Sequence, residues 1–321
     1  MVLFAIRRIG AGIPLIIGIV VFLFVLLELA PGDPVQAIVG DFPVPDEYRA
    51  QLVAEYNLDA PLLERFSTYA TTLLRGDLGE SFYNERSVSE LIRARLPNTL
   101  LLISLGMAAS FVIGTALGLL SASTKQSGVD SGVSAFSLFG YSIPNFWLAQ
   151  ILVVVFALRL GWLPSQGMRD LRSDATGLAA LSSRASYLVL PVIALSLREL
   201  AAVSRIARSS ARLTLAQDHI ETAYAKGLTK RQVVTGHVLR NSLVPVVTVT
   251  GYRFGSAIAG TVVIETVFSW PGIGQLFVES VGRRDNQIVV GIFIVVTVLV
   301  VVVNVLTDLL YGLLDPRIRM S

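Results

Sequence analysis

Glu28 and Asp308 lie near the ends of long apolar stretches of this sequence, where their side chains can reach the membrane interface. Four further ionisable residues lie deeper in such stretches, where an uncompensated charge is costly: Arg198, Glu199, Arg253 and Glu265. A guanidinium beside a water-filled path could hold a carboxylate through two parallel hydrogen bonds. Alternatively, each arginine forms an ion pair within the chain, with Glu199 or Glu265 as its partner. Both interpretations stay open at this point, and Arg198, Arg253 and Glu265 are the candidate path-lining residues.

The other polar residues do not form a pattern typical of catalysis or metal binding. The two histidines, His219 and His237, lack carboxylates at helical spacing that would complete a metal site, so none is predicted. Asp218 and Glu221 lie three residues apart, but nothing indicates a pocket around them. Helix capping or contact with a partner therefore explains these carboxylates better than acid–base chemistry does.

Nucleophiles and nucleotide-binding loops are equally unsupported by the sequence. There is no cysteine, which excludes thiolate nucleophiles and cysteine-ligated metals. Ser142 lacks the G-x-S-x-G context, and together with Pro144 it indicates a helix break instead. None of the three lysines follows a phosphate-binding glycine pattern, so no ATP hydrolysis is expected from this chain.

Composition identifies the class of protein that must position these residues. Of 321 residues, 53% are hydrophobic and only 15% are charged, which is too little charge to cover the surface of a soluble domain. The same figures exclude intrinsic disorder. The sequence contains no basic run interleaved with aromatic residues, so nucleic-acid binding is not indicated. The sequence therefore predicts an all-α integral membrane protein.

Six stretches are long and apolar enough to span a bilayer. The first reads as a retained anchor rather than a cleaved signal peptide, because it lacks a small-residue cleavage site. Density of positive charge near the helix ends favours a cytoplasmic N-terminus, and segment 30–97, with 11 acidic and 6 basic residues, suits the outside. Six spans then place both termini in the cytoplasm. The predicted spans are 9–29, 99–121, 133–158, 187–206, 243–267 and 288–314.

The loops between these spans carry structure of their own. Segment 30–97 contains two helical patterns, 47–58 and 60–74, and reads either as a simple lid or as a platform for an external protein. Pro271, Gly272 and Gly274 bend the chain after the fifth span, ahead of an apolar half-helix. In the second span, Gly114 and Gly118 form a small-residue face suited to helix packing.

The cytoplasmic segment 205–240 is the most informative loop. Residues 217–226 predict a short helix with Ile220, Ala223 and Tyr224 on one side, and Gly227 suits a left-handed stop after it. Such a helix could be an ordinary amphipathic surface helix. It could equally be a small knob that enters a groove on another protein.

Segment 218–245, DHIETAYAKGLTKRQVVTGHVLRNSLVP, resembles the EAA loop of binding-protein-dependent ABC importer permeases. The order AKGL and then HxLRNxLxP is similar to the dipeptide, oligopeptide and nickel permeases. Its Gly227–Pro245 spacing is longer than the general EAA pattern but fits this subfamily. Further matching pieces, each weak alone, follow in order along the chain: LAPGDP (29–34), GDLGESF (76–82), RLPNTL (95–100), SIPNFWLAQIL (142–152), LGWLPSQG (160–167), VVIETVFSWPGIG (262–274) and LLDPRIR (313–319).

The resemblance implies a first-permease subunit of a bacterial or archaeal plasma (inner) membrane importer with an ATPase-coupling loop at 205–245. It implies residues 1–98 as first span plus extracytoplasmic cap, and 99–321 as the permease core. The implied partners are a second homologous permease, two cytoplasmic ATPases that bind ATP and Mg²⁺, an extracytoplasmic substrate-binding protein and membrane lipid. The implied ATPase-coupling residues are Asp218, Glu221, Ala223, Ala225, Lys226, Gly227 and Leu228; the candidate docking residues for the binding protein are Trp270, Pro271, Gly272 and Gly274.

Within this family peptides are the expected substrate, with nickel, opines or glutathione as alternatives. Two other classes of protein stay open. An ion-gradient-driven secondary transporter would show repeated broken helices in both halves, and no such repeat is found. A membrane-embedded enzyme would need a catalytic constellation at bilayer depth, and none is visible.

Overall fold

The computed structural model describes residues 2–29, 35, 39, 43–55, 60–81, 83–124, 126–170 and 177–314 of the chain. Most of residues 29–34 and 313–319, which carry two of the family-like motifs, lie outside this range. The helices are α1 (Val2–Leu29), α2 (Asp46–Glu55), α3 (Leu62–Leu74), α4 (Val88–Ser123), α5 (Ser127–Ser142), α6 (Asn145–Leu152), α7 (Gly177–Leu215), α8 (Asp218–Ala225), α9 (Lys230–Val233), α10 (Leu239–Val267), α11 (Ile273–Gly282) and α12 (Asn286–Leu314). Wider π-helical turns extend α6 over Val153–Arg159 and join α9 to α10 over Val234–Val238, and β1 (Glu80–Ser81) pairs antiparallel with β2 (Arg86–Ser87).

Five of these helical stretches are long and apolar enough to cross a membrane, with a sixth candidate formed by a bent pair. The bent pair, Ser127–Ser142 with Asn145–Arg159, occupies the third predicted span and turns through 101°. The predicted break at Pro144 is confirmed, because this proline lacks an N–H and holds Ile143 in an extended conformation with ψ 127°. Pattern alone did not indicate that the two halves turn so sharply.

The central contact of the bundle is made by α4 against α7 through three glycines. A Cβ on Gly114 would lie 2.9 Å from the Leu200 carbonyl oxygen, and one on Gly118 would lie 2.5 Å from that of Ser204. A Cβ on Gly106 would instead meet the side chain of Leu195, at 2.8 Å. At Gly114 and Gly118 only glycine lets the two backbones approach so closely, so the predicted small-residue face is confirmed.

The remaining long helices complete the bundle around this pair. α10 packs against α7, α4 and α12, and α1 packs on the outer side of α12. The predicted boundary between residues 98 and 99 falls inside α4, which begins at Val88 and runs without interruption through Pro97. The chain therefore passes from one predicted unit into the other within a single helix.

The two helical patterns predicted in segment 30–97 form as α2 and α3, and Pro61 occupies the N-cap position of α3. α3 is tied to α1 by an Arg65–Glu28 ion pair of 2.5 Å. The rings of Phe24 and Phe66 lie 5.3 Å apart between the same helices, and burial raises the pKa of nearby Tyr69 to about 12.

The hairpin of β1 and β2 packs against the turn between α11 and α12. The Ser81 hydroxyl donates to the Asp285 carboxylate at 2.5 Å in a buried contact. The Arg283 guanidinium lies 4.1 Å from the centroid of the Tyr83 ring. The segment before α4 and the segment before α12 are therefore held together at one end of the bundle.

Candidate functional site

The short helix α8 is seated on the end of the bundle opposite the hairpin. Ile220 and Ala223, only 1% and 4% exposed, pack with Ala211 of α7, with Val233 at the end of α9 and with Val238 in the turn that follows it. Burying these apolar side chains anchors a helix of only two turns, which would not be stable alone. α8 therefore sits firmly between the end of α7 and the start of α10.

The end of α8 and the start of α9 are built by local sequence. Gly227 adopts φ +82°, a conformation favourable to glycine, and the Leu228 N–H donates to the Ala223 carbonyl at 3.3 Å. The predicted glycine stop is confirmed. The next helix begins with a capping box, in which the Thr229 N–H donates to the Gln232 side chain at 2.9 Å and the Thr229 hydroxyl accepts from the Gln232 N–H.

Some of the implied coupling residues are exposed to solvent, and others are buried and anchor α8 on the bundle. Ala223 is buried and Leu228 is half-buried, so these two hold α8 in place rather than facing a partner. Tyr224 lies four residues after Ile220 and so on the predicted side of the helix, but it is 43% exposed and is not part of the buried cluster. The exposed members are Asp218, Glu221, Ala225, Lys226 and Gly227.

A charge cluster ties the end of α7 to two neighbouring helices near α8. The Asp130 carboxylate accepts two hydrogen bonds from Arg208, both 2.7 Å long, and one from Arg212 at 2.9 Å. It also accepts from the Ser121 hydroxyl at 2.6 Å. Sequence reasoning missed this cluster, although Arg208 and Arg212 lie four residues apart and so share one face of a helix.

Arg253 and Glu199 form an ion pair between α10 and α7. The Arg253 Nε lies 2.5 Å from Glu199 Oε2, and the two side chains are 26% and 14% exposed. Of the two interpretations of these arginines, the structure supports the internal ion pair for Arg253. Arg198 is different, because it is exposed and its guanidinium lies 5.3 Å from the ring centroid of Tyr141.

Glu265 lies in the interior of the chain, so the prediction that it lines the translocation path is wrong. It is 0% exposed, and its carboxylate accepts from the Thr99 hydroxyl at 2.7 Å and from the backbone N–H groups of Gly274 and Gln275 at 2.7 and 3.1 Å. Those two N–H groups belong to the first turn of α11, where a carboxylate satisfies unpaired donors. Glu265 thus fixes the angle between α10 and α11.

Two of the four candidate docking residues, Gly272 and Gly274, lie against the same carboxylate. Trp270 is 0% exposed and its indole N–H donates to the Asn98 carbonyl at 3.0 Å. Gly272 and Gly274 are buried and Pro271 is half-buried. A Cβ on Gly272 would lie 2.3 Å from the Glu265 carboxylate. These residues are therefore parts of the core, which corrects their assignment to a docking surface.

The two histidines lie near each other, with ring centroids 6.5 Å apart. Within the described residues, no group of three or more histidine, cysteine or acidic side chains is arranged to hold a metal ion.

Comparison with known proteins gives a consistent result along the whole chain. Residues 114–320 match the family model "Binding-protein-dependent transport system inner membrane component", and residues 1–103 match its N-terminal companion, "Binding-prot-dependent transport system membrane comp, N-term". Solved inward-facing structures of the MetNI methionine ABC transporter share the fold. One crystal form superposes with a TM-score of 0.56 at 18% identity, covering 70% of this chain and 96% of the solved chain.

Relatives of similar length are closer in sequence. The oligopeptide transport system permease protein AppB of Bacillus subtilis (strain 168) is 38% identical over 99% of this chain and 100% of its own length. The di/tripeptide transport system permease protein DppB of Pseudomonas aeruginosa (strain UCBPP-PA14) is 38% identical over 99% of both chains. The dipeptide transport system permease protein DppB of Escherichia coli (strain K12) is 35% identical over 99% of both chains.

The family match, the full-length permease relatives and the five or six apolar helices describe a multi-pass inner-membrane transport component rather than an enzyme. This chain belongs to the family of binding-protein-dependent transport system inner membrane components.

Proposed function

We propose that this chain is the first permease subunit of an ATP-driven importer of di- or oligopeptides. The observation that carries the substrate class is identity of 35–38% over the full chain to three permeases named for oligopeptide, di/tripeptide and dipeptide transport. The proposed partners are a second, homologous permease, two ATPase subunits and an extracytoplasmic binding protein.

The proposed topology has six spans, with the bent pair α5 and α6 counted as one. Both termini and α8 then lie in the cytoplasm, and α2, α3 and the hairpin form a cap on the outer face. The clustering of basic residues near α8 supports this orientation.

We assign α8 as the helix that couples the permease to its ATPases. Its exposed side carries Asp218, Glu221, Ala225, Lys226 and Gly227, while its opposite side is anchored by Ile220 and Ala223. A helix that is exposed but firmly seated can be pushed by a partner and can pass that motion to the bundle. The small side chain of Ala225 leaves room for a partner's groove to close over α8.

The Asp130 cluster supplies the mechanical link in this proposal. ATP and Mg²⁺, bound by the partner subunits, supply the energy that draws those subunits together. Because Asp130 joins α5 to Arg208 and Arg212 near the end of α7, displacement of α8 moves these helices as one body. Such motion drives transport only if the inward- and outward-open states bind the partners differently.

The test is uptake of a labelled dipeptide and a labelled pentapeptide by cells with and without the gene, followed by complementation. We expect ATP-dependent uptake to be lost and then restored, with the size preference separating dipeptide from oligopeptide importers. Unchanged uptake of both peptides, with the assembled complex shown to be present in the parent cells, would contradict the peptide assignment and favour nickel, opines or glutathione.

A further inference from the structure

Two arginines of α7 lie against one tyrosine at the break between α5 and α6. The guanidinium groups of Arg198 and Arg205 lie 5.3 and 5.2 Å from the ring centroid of Tyr141. Seven residues separate them, so they share one face of α7 about 10 Å apart along its axis. Both arginines and the tyrosine are exposed.

These two arginines differ from their neighbours because no carboxylate compensates them. Arg253 is paired with Glu199, and Arg208 and Arg212 are paired with Asp130. Across the described part of the chain, neither Arg198 nor Arg205 has an ion pair. The Tyr141 ring attracts a cation but supplies no negative charge, so the stack keeps both positive charges.

The stack lies beside a break in the helical backbone within a predicted membrane span. Ile143 and Pro144, two and three residues after Tyr141, are outside helical structure, and Ser142 and Pro144 are exposed. Broken backbone within a membrane span occurs where it is buried in protein or lines a water-filled cavity. Arg198 itself lies near the middle of the predicted fourth span, where an unpaired charge facing lipid is costly. Because the break and Arg198 are exposed on this chain, both observations fit a water-filled cavity beside Tyr141.

The chemistry of the stack suits a carboxylate. An arginine held by its contact with an aromatic ring is already oriented, so it loses less freedom when its planar fork donates two parallel hydrogen bonds. Every linear peptide carries one carboxylate at its C-terminus, whatever its side chains. We propose that Arg198 and Arg205, held by Tyr141, form a transit site for the C-terminal carboxylate of the peptide. This inference rests on the proposed peptide-import function.

The test uses the complete complex in nanodiscs without the binding protein, so that selection by the binding protein does not enter. Binding of dialanine and of dialanine amide is compared by saturation-transfer NMR, which detects weak ligands. We expect the free acid to bind at least about tenfold more tightly than the amide, the loss typical of one charge-assisted hydrogen-bonded contact. The double variant Arg198→Gln/Arg205→Gln should weaken acid binding by a similar factor and remove the preference.

Two further variants guard the interpretation. Arg184→Gln removes the same charge from an exposed position of α7 away from Tyr141, and it should preserve the acid preference. Arg198→Lys keeps the charge but loses the planar fork, so it should assemble and still reduce the preference.

Equal binding of acid and amide by the wild-type complex, or no binding of either, overturns the transit site. So does a preference unchanged in the variants.

Failure of Arg198→Gln/Arg205→Gln to assemble, with an unchanged preference in Arg198→Lys, would instead show that the arginines pair with a carboxylate of the second permease. Loss of the preference on changing only the lipid headgroups would show that they bind lipid phosphate. If the proposed function itself is wrong, cells with the wild-type complex will not take up peptide at all.

Discussion

Arg253 and Glu199 meet between two helices at a depth where neither charge could remain alone at low cost. Their ion pair of 2.5 Å leaves the side chains 26% and 14% exposed, so each depends on the other for most of its compensation. We therefore interpret the pair as a structural contact between α10 and α7. It is separate from the stack of Arg198 and Arg205 on Tyr141.

Arg253→Gln should lower the stability of the purified chain by about 1–3 kcal/mol, because it leaves the Glu199 carboxylate partly buried without a cation. The double variant Glu199→Gln/Arg253→Gln removes both charges and should recover most of the loss. Thermal melting of both variants in detergent measures this. If transport stays impaired in the double variant while its stability is restored, Arg253 acts on the substrate and the structural interpretation is wrong.

Residue types alone could identify the charges that need partners but could not choose between the partners. Glu199 and Glu265 were both available to the arginines, and both lie within apolar stretches. The structure separates them, because Glu265 is occupied by the first turn of α11 and the Thr99 hydroxyl. That first turn lies in a segment whose path after Pro271 depends on tertiary packing, which the sequence pattern does not contain.

At the scale of elements, periodicity and proline positions predicted most of what forms. The long apolar helices, the two helices of segment 30–97, the short helix before Gly227 and the break at Pro144 all follow from local rules. The burial of Trp270 and the 101° turn at the break do not, because both depend on which helices face each other. Exposed surface and core are indistinguishable by hydropathy in a chain surrounded by lipid.

The α4–α7 contact gives a prediction at this scale. Gly118→Ala should destabilise the chain by about 1–3 kcal/mol, because its Cβ would lie 2.5 Å from the Ser204 carbonyl oxygen and 2.8 Å from the Arg208 nitrogen. Backbone atoms cannot rotate away as a side chain can, so the helices must separate. The melting temperature of the purified chain reports the change.

Gly260→Ala is the matched control, because Gly260 lies within α10 and a Cβ there meets nothing within 4 Å. Alanine favours helix more than glycine does, so this variant should be neutral or more stable by up to about 1 kcal/mol. Equal effects of the two alanines would mean that helix propensity, rather than the close approach of α4 and α7, controls both positions.

At the scale of the whole molecule, one end of the bundle carries an exposed, well-seated helix and the other carries the α3 and hairpin contacts. α7 connects the two, since it runs from Gly177 to Leu215 and continues almost directly into α8. In the proposed coupling, a push on α8 would be delivered along α7 to Arg198 and Tyr141. This arrangement links the proposed ATPase contact to the proposed substrate contact through a single helix.

The proposed coupling can be tested without disturbing the fold by changing Ala225 to arginine. Ala225 is exposed at the end of α8, so the larger charged side chain should keep a partner's groove from closing over the helix. The buried contacts of Ile220 and Ala223, which anchor α8, should stay intact. We expect ATPase co-purification and peptide uptake to fall at least about tenfold, equivalent to about 1.4 kcal/mol of lost binding, with an unchanged melting temperature of the isolated chain. Gly227 is a poorer choice, because its φ of +82° would strain any other residue.

Two comparison variants locate the effect of Ala225→Arg on the contact itself. Ala50→Arg places the same side chain on an exposed position of α2, at the proposed outer face, and should leave ATPase co-purification unchanged. Ala223→Arg places it in the buried seat, where a charge has no partner, and should lower the melting temperature along with co-purification. If Ala225→Arg retains full co-purification and uptake, α8 is an ordinary surface helix, and the ATPase must bind elsewhere on the chain.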